Sequence, residues 1–385
     1  MEGALAYLAA AGVFALLPTD AAEAELSADI HVHELRAHVY RLTSPEFLGR
    51  SGPGAARTSR HLADAFRRLG LRPAFGASYF QPIPSPAGQA GFVGRNVVAM
   101  LPGGDPALKD EWLLLGAHFD HLGKRGGVLH PGADDNATGV AMLLEVAEHF
   151  ALCGRRPRRT LVFAAFDQEE EGLLGSKHFA CQPPLPWGGL KAALTADMLG
   201  RSMANVMDEY VFVLGSECSP GLRRLVAGVA APRGLTVGRL GADVIGTRSD
   251  YGPFRDRRVP FLFLSTGQHP DYHRPTDTPE RVDYRKLQRV SVWVRDLLRR
   301  LADNAEAPTW APKEVPHDLE EMRTVAVLVR RVLDRPDTYP LADKDRALVE
   351  GVERRLTAIL RRGEVSGLDR VWLVLTARLL METVF

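Results

Sequence analysis

Trp112-Leu113-Leu114-Leu115-Gly116-Ala117-His118-Phe119-Asp120 decides the fold. Residues 112–117 are apolar without alternation, which is the mark of a strand covered on both faces rather than on one. The loop Gly132-Ala133-Asp134-Asp135-Asn136 follows and runs into a helical stretch over 137–150. The next apolar run, Thr160–Phe166, repeats the first pattern and ends in Asp167. Strand, helix, strand in this order predicts an α/β fold with a mostly parallel central sheet between two helical layers.

The same alternation extends in both directions. Upstream, helices are predicted over 29–42 and 55–69, the second closed by Gly70, with a glycine-dense loop at 47–54 between them and a strand over 96–101. Downstream come a helix over 173–179, strands over 190–196 and 210–214, a helix over 220–231, a strand over 259–264 and a helix over 284–302. Pro308, Pro312 and Pro316 mark a linker over 305–316, and residues 317–385 have helical periodicity rich in Arg and Leu. The predicted organisation is therefore an N-terminal apolar segment over 1–24, a main domain over 25–304, the linker, and a helical extension over 317–385 that packs without contributing chemistry.

Composition narrows the class. Of 385 residues, 45% are hydrophobic and 25% charged, which is globular usage, and the net charge of +1 gives no basis for a nucleic-acid or anionic-membrane partner. Three scattered cysteines, Cys153, Cys181 and Cys218, make neither a disulfide framework nor a thiolate metal site and are expected as buried free thiols. Residues 4–17 carry no charge. That run is too short to span a bilayer but has the length of a signal-peptide core, with Ala22-Glu23-Ala24 as a cleavage-like site. On this reading the protein is exported to a periplasm or secreted, and cytoplasmic if the segment is instead a helix of the domain.

Chemistry-bearing residues gather just after the predicted strands: His118 and Asp120; Asp134 and Asp135; Glu169, Glu170 and Glu171; Asp197; and Asp271, Tyr272 and His273. Strand ends of a parallel sheet are where such folds place a site. Two histidines with several carboxylates and no cysteine suit a borderline-hard divalent ion such as zinc, and carboxylates can bridge two such ions. Asp120, two residues beyond His118 on an extended segment, is placed to accept the other imidazole N–H.

These blocks, with Gly116–Gly123, Gly132–Gly139, Glu169–Ser176, Ala196–Arg201 and Asp271–His273 in this order, resemble the M28 family of zinc exopeptidases over roughly residues 30–303. Phe47-Leu48-Gly49-Arg50 and Asn96-Val97-Val98-Ala99 resemble that family's opening segments. The resemblance implies a three-layer αβα zinc-exopeptidase fold and two Zn²⁺ per chain. It assigns Asp134 as the ligand shared by both ions, His118 and Asp197 to one ion, Glu170 and His273 to the other, and Glu169 as general base. Asp120 is grouped with Glu169 as catalytic. Asp135 is expected to follow Asp134 through a cis peptide and to support the site. Gly172-Leu173-Leu174-Gly175-Ser176 fixes the register of the glutamate run and leaves Glu171 as the variable member. Ser249–Phe254 resembles a wall of the substrate pocket, making Asp250, Tyr251 and Tyr272 candidate substrate contacts, with a helix N-cap as the competing role for Asp250.

The implied activity is that of an aminopeptidase acting on peptide or protein N-termini. A glutaminyl-cyclase-like acyltransferase is the alternative on the same fold, and a non-catalytic peptidase-like binding domain the alternative of another class; the full ligand set argues against both. The related M20 metallopeptidases are excluded because the interval from Asp197 to His273 leaves no room for an inserted lid domain. Arg201, Arg248 and Arg274 lie near the motifs and are candidates for a substrate carboxylate.

Overall fold

Why 112–118 is buried throughout is visible in its packing. The computed structural model describes residues 26–85, 89–311 and 319–383. Trp112 and Leu114 point into one apolar layer, and Leu113, Leu115 and Ala117 into the other. Burying a large aliphatic side chain on either face stabilises the fold by about 1.5–3 kcal/mol. The Trp112 indole N–H is satisfied by the Pro186 carbonyl at 3.0 Å.

The strands are β1 (Arg72–Pro73), β2 (Phe80–Pro84), β3 (Phe92–Leu101), β4 (Trp112–His118), β5 (Lys124–Arg125), β6 (Val128–Leu129), β7 (Thr160–Phe166), β8 (Leu190–Ala196), β9 (Tyr210–Leu214), β10 (Thr236–Leu240) and β11 (Phe261–Ser265). Among the described residues, nine of them form one sheet in the order β1-β3-β7-β4-β8-β11-β9-β10, with β2 also paired to β3. β5 and β6 form a separate small hairpin. The centre, β7-β4-β8-β11, is parallel. β3 runs antiparallel to β7, and β9 antiparallel to β11, so the sheet is mixed around its parallel centre, with helices on both faces as the three-layer expectation has it.

The helices are α1 (Val32–Leu42), α2 (Pro53–Arg68), α3 (Gly139–Leu152), α4 (Leu174–Cys181), α5 (Pro220–Gly228), α6 (Gly252–Asp256), α7 (Tyr284–Asp303), α8 (Leu319–Asp334), α9 (Asp343–Arg362) and α10 (Gly367–Thr383). α1, α2, α3 and α7 cover one face of the sheet, through residues such as Leu35, Phe66, Leu143 and Trp293. α4 and α6 cover the other with Phe179 and Phe254. Gly70 follows the end of α2 with φ +67°, the left-handed position that favours glycine at a helix C-terminus.

α8, α9 and α10 pack on one another around Met322, Val329, Val352, Leu356 and Leu373. They also dock on the sheet. Val332 of α8 joins the layer containing Phe212 and Met203, the Glu321 carboxylate accepts the Gly241 N–H at 2.6 Å, and Arg331 donates to the Val206 carbonyl at 3.1 Å. No described helix is long and apolar enough to cross a membrane. The three cysteines are free, but they are not buried as expected: Cys181 is exposed and the others half-buried. The signal-like segment lies outside the described residues.

Candidate metal centre

Topology puts the site at one edge of the sheet. After β4 the chain moves to one side to form β7 and then returns to the other to form β8, so β4 is a switch point, where α/β sheets open a crevice at their C-terminal strand ends. His118 ends β4, Asp197 follows β8, Glu169 and Glu170 follow β7, and the loop after β11 carries His273.

Two groups of side chains face each other across one carboxylate, and that carboxylate belongs to Asp135. Its Oδ1 lies 3.3 Å from His118 Nε2, which is also 3.3 Å from Asp197 Oδ1. Its Oδ2 lies 3.2 Å from His273 Nε2, which is 3.1 Å from Glu170 Oε2. Donor atoms of His118, Glu169 and Asp197 fall within 4.8 Å of one another, and so do those of His121, Asp135 and Glu170.

The aspartate pair is thus displaced by one residue from the expected register. Asp134 is fully buried and turned away. Its Oδ1 accepts the Gly200 N–H at 2.6 Å and the Thr138 hydroxyl at 3.0 Å, and its Oδ2 lies 3.4 Å from His269 Nε2. The cis peptide joins Asp135 to Asn136, not Asp134 to Asp135. Asn136 accepts the Gly139 and Met198 N–H groups and donates to the Ala196 carbonyl at 2.9 Å, which ties this loop to the end of β8. The Asp277 carboxylate accepts the N–H groups of both Asp134 and Asp135. Burial, reinforced by Asp134, raises Asp277 to about 6.

Asp120 does not face the reacting space. Its two oxygens accept the Glu169 N–H at 3.0 Å and the Glu170 N–H at 3.2 Å, and the nearer lies 3.7 Å from His118 Nδ1; the Asp120 carbonyl is closer, at 3.3 Å. It is a positioning residue that fixes the glutamate turn to the end of β4. Glu171 is exposed. Arg50, with no exposure, donates to the carbonyls of Phe119, Leu42, Pro131, Gly132 and Asp135 and so clamps β4, α1 and the aspartate loop together.

Electrostatics follow from this crowding. Burial works against the charged form of His118, but Glu169 and Asp197 outweigh it and hold the imidazole well above its ordinary range. For Asp135 burial is outweighed by its contacts with His118 and His273, and its carboxyl is held low. Burial pushes Glu169 up to about 10, opposed by His118 and reinforced by Asp197, Asp250 and Asp135.

The predicted substrate contacts separate. Tyr272 stacks on His273 with ring centroids 3.9 Å apart and lines the adjoining cavity. Tyr251 is fully buried between Phe261 and Phe263, with its hydroxyl on the Gly246 carbonyl, so it is core. Asp250 is buried behind His118 and Asp197, caps no helix, and is raised to about 7, first by burial. Arg201 is committed to Asp271 at 2.8 Å; Arg248 and Arg274 remain exposed. His121 was missed although it stands in the quoted block. Its Nδ1 is 2.9 Å from Glu170 Oε1, and the only sequence signal for it is a third imidazole-bearing position immediately after Asp120.

Comparison with known proteins identifies the family and the fold. Residues 96–298 match the model of peptidase family M28, just over half of the chain. Leupeptin-inactivating enzyme 1 of Streptomyces exfoliatus is 25% identical over 272 residues, 69% of this chain and 57% of that protein. Aminopeptidase YwaD of Bacillus subtilis is 26% identical over 212 residues, 52% of this chain and 43% of that protein. The chain therefore spans just over half the length of the first relative and less than half that of the second. Among solved structures, the LapA aminopeptidase of Legionella pneumophila superposes with a TM-score of 0.57 at 19% identity, covering 72% of this chain and 73% of that one. The glutaminyl cyclase of Porphyromonas gingivalis gives the same TM-score at 20% identity, covering 70% of this chain and 98% of that one. The fold is common to both. With the family model spanning β3 to α7 and every strand-end cluster inside it, the chain belongs to peptidase family M28.

Proposed function

We propose that the protein is a two-zinc exopeptidase that hydrolyses the first peptide bond of its substrates. The observation that carries this reading is the Asp135 carboxylate, whose two oxygens face separate donor sets, His118 with Asp197 and Glu170 with His273. The donor set fits divalent cations. Nitrogen and carboxylate oxygen without thiolate is the ligand chemistry of zinc. Asp135 Oδ2 and His121 Nε2 are buried without a hydrogen-bond partner. Glu169, the base of this reading, must be ionised to act; it is held up first by burial and then by neighbouring carboxylates, whose charge two cations would offset.

Asp135 would hold both ions, His118 and Asp197 one, and Glu170 and His273 the other, with His121 beside the second. When bound, the ions polarise the scissile carbonyl and lower the pKa of water. Glu169 takes the proton of the attacking water on its carboxylate and returns it to the departing amine. Asp120 holds the backbone of Glu169 and Glu170, so the base and its neighbouring ligand keep a fixed separation. Tyr272, stacked on His273, walls the side toward the cavity.

Elemental analysis together with activity tests the reading. The expected result is two zinc per chain and hydrolysis of aminoacyl anilides. Glu169→Ala should keep both ions and lower kcat by about 10² or more, the scale of a positioned acid–base group. Glu170→Ala should lose metal. One tightly held ion together with cyclisation of N-terminal glutamine would replace this reading by the cyclase one.

A further inference from the structure

The cavity beside the metal centre is not made by the sheet and its loops alone. Asp197 and Tyr272 lie on its lining at the metal end, and the exposed Arg248 lies on its rim. Met198, Phe212 and Phe263 form the wall that belongs to the sheet. Leu240, Val244 and Ile245 continue that wall, and a further wall is Leu328 and Val329 of α8 with Ala377 and Leu380 of α10. The space between them is about 1080 Å³, mouth included.

We propose that α8 and α10, the helical extension, form the selective wall of the pocket that receives the side chain of the substrate's N-terminal residue, and so set how large an apolar side chain it admits. The inference deepens the exopeptidase reading and rests on it. If the attacked carbonyl lies at the metal centre, the side chain of the residue carrying that carbonyl is within a few ångströms of Asp197 and Tyr272, and the cavity that opens there is the space it can enter. Apart from Asp197 at the metal end and Arg248 at the rim, its lining offers no charged partner, so a charged side chain deep in it would lose its hydration without compensation. A methyl group would leave most of the space without contacts, whereas a leucine, phenylalanine or tryptophan side chain would bring apolar surface against both walls.

The wall is fixed in place. Glu321 holds the Gly241 N–H on its Oε1 and pairs with Arg370 of α10 at 3.0 Å through its Oε2, joining both helices to the strand-end loop of β10. Val332 and Arg331 anchor the other end of α8 on the sheet domain. The extension, expected to pack without contributing chemistry, would on this proposal set selectivity while holding no metal ligand.

The test measures kcat/KM for alanyl, leucyl and phenylalanyl anilides on zinc-loaded full-length protein, with metal content and melting temperature checked for each variant. Wild type should favour leucyl or phenylalanyl over alanyl by tenfold or more, since single methylenes in an apolar pocket discriminate on that scale. Leu328→Trp and Ala377→Leu, which fill the pocket from the helical side, should lower that ratio at least tenfold. Leu328→Ala, which only removes atoms, should shift preference toward the larger phenylalanyl substrate. An unchanged ratio in folded, zinc-loaded variants that still cleave the anilides would overturn the role of the helices and leave the exopeptidase reading standing. Absence of anilide hydrolysis by zinc-loaded wild type would overturn both.

Discussion

Arg50→Met is the perturbation that bears most directly on how this site is held. The guanidinium has no exposure and makes five hydrogen bonds, of 2.6–3.3 Å, all to main-chain carbonyls. Burial lowers its pKa to about 10, against the pull of Asp135, Asp277, Asp120 and Glu170, which corresponds to a penalty on the charged form of roughly 3 kcal/mol. Methionine removes that penalty but deprives five carbonyls, four of them buried, of a donor, at about 1–2 kcal/mol each. The difference is a loss of about 2–7 kcal/mol, comparable to much of a domain's net stability. Two of the deprived carbonyls belong to Gly132 and Asp135, so the aspartate loop should loosen as well. Urea unfolding of the cation-free protein gives the first quantity, and zinc titration followed by competition with a chelator gives the second. Arg50→Lys should fall between wild type and Arg50→Met, because an ammonium has three donors on a compact head. An Arg50→Met protein that unfolds within about 1 kcal/mol of wild type and holds zinc as tightly would refute the clamp.

Asp135→Asn should lose more zinc than Asp134→Asn, because only the former faces both donor sets, whereas Asp134→Asn should chiefly lower the melting temperature; the reverse order in elemental analysis would restore the shared-ligand role to Asp134. His61 is depressed to about 4 by burial first, and then by His38, Arg41 and Arg68. Below pH 6.5 the unfolded chain therefore binds the extra proton, and stability falls as pH drops from 6.5 toward 4, by about 1–2 kcal/mol after allowance for partial exposure. His61→Phe should flatten that part of the pH–stability curve in chelator-treated protein, and an unchanged slope would dismiss His61 as its source. Gly49 has φ +64°, and a Cβ there would stand 2.6 Å from the His130 carbonyl oxygen. Gly49→Ala should cost about 2–4 kcal/mol by thermal or urea unfolding.

What sequence could and could not disclose follows from the kinds of interaction involved. β4, β7, β8 and α7 were legible because burial on both faces, or on one helical stripe, writes itself into consecutive side chains. Pairing direction does not. β3 and β9 are apolar like their neighbours, and nothing in their composition marks them as antiparallel. β10 was missed because an edge strand reading Thr236-Val237-Gly238-Arg239-Leu240 has a glycine at its centre, where close approach of Thr324 from α8 leaves no room for a Cβ. Within the site, residue types and strand ends were readable, but a one-residue register was not. Asp134 and Asp135 are chemically identical, and only the backbone of the loop decides which one points at His118. Tyr251 fails as a substrate contact for a related reason: its hydroxyl finds a carbonyl within the core, a pairing five residues upstream that no local pattern announces.

The placement of α8 against β10 also orders events during biosynthesis. His118 through His273 emerge from the ribosome before Leu319, and the central strands that position them are all made by Ser265. If domains fold as they emerge, the nascent chain can assemble its metal-binding end while α8 and α10 are still unmade. During that interval Met198, Phe212 and Phe263 would meet water instead of the helices, and β10 would present an uncovered sheet edge. A translating polysome would then carry polypeptides competent to take up zinc but without the wall that discriminates among substrates.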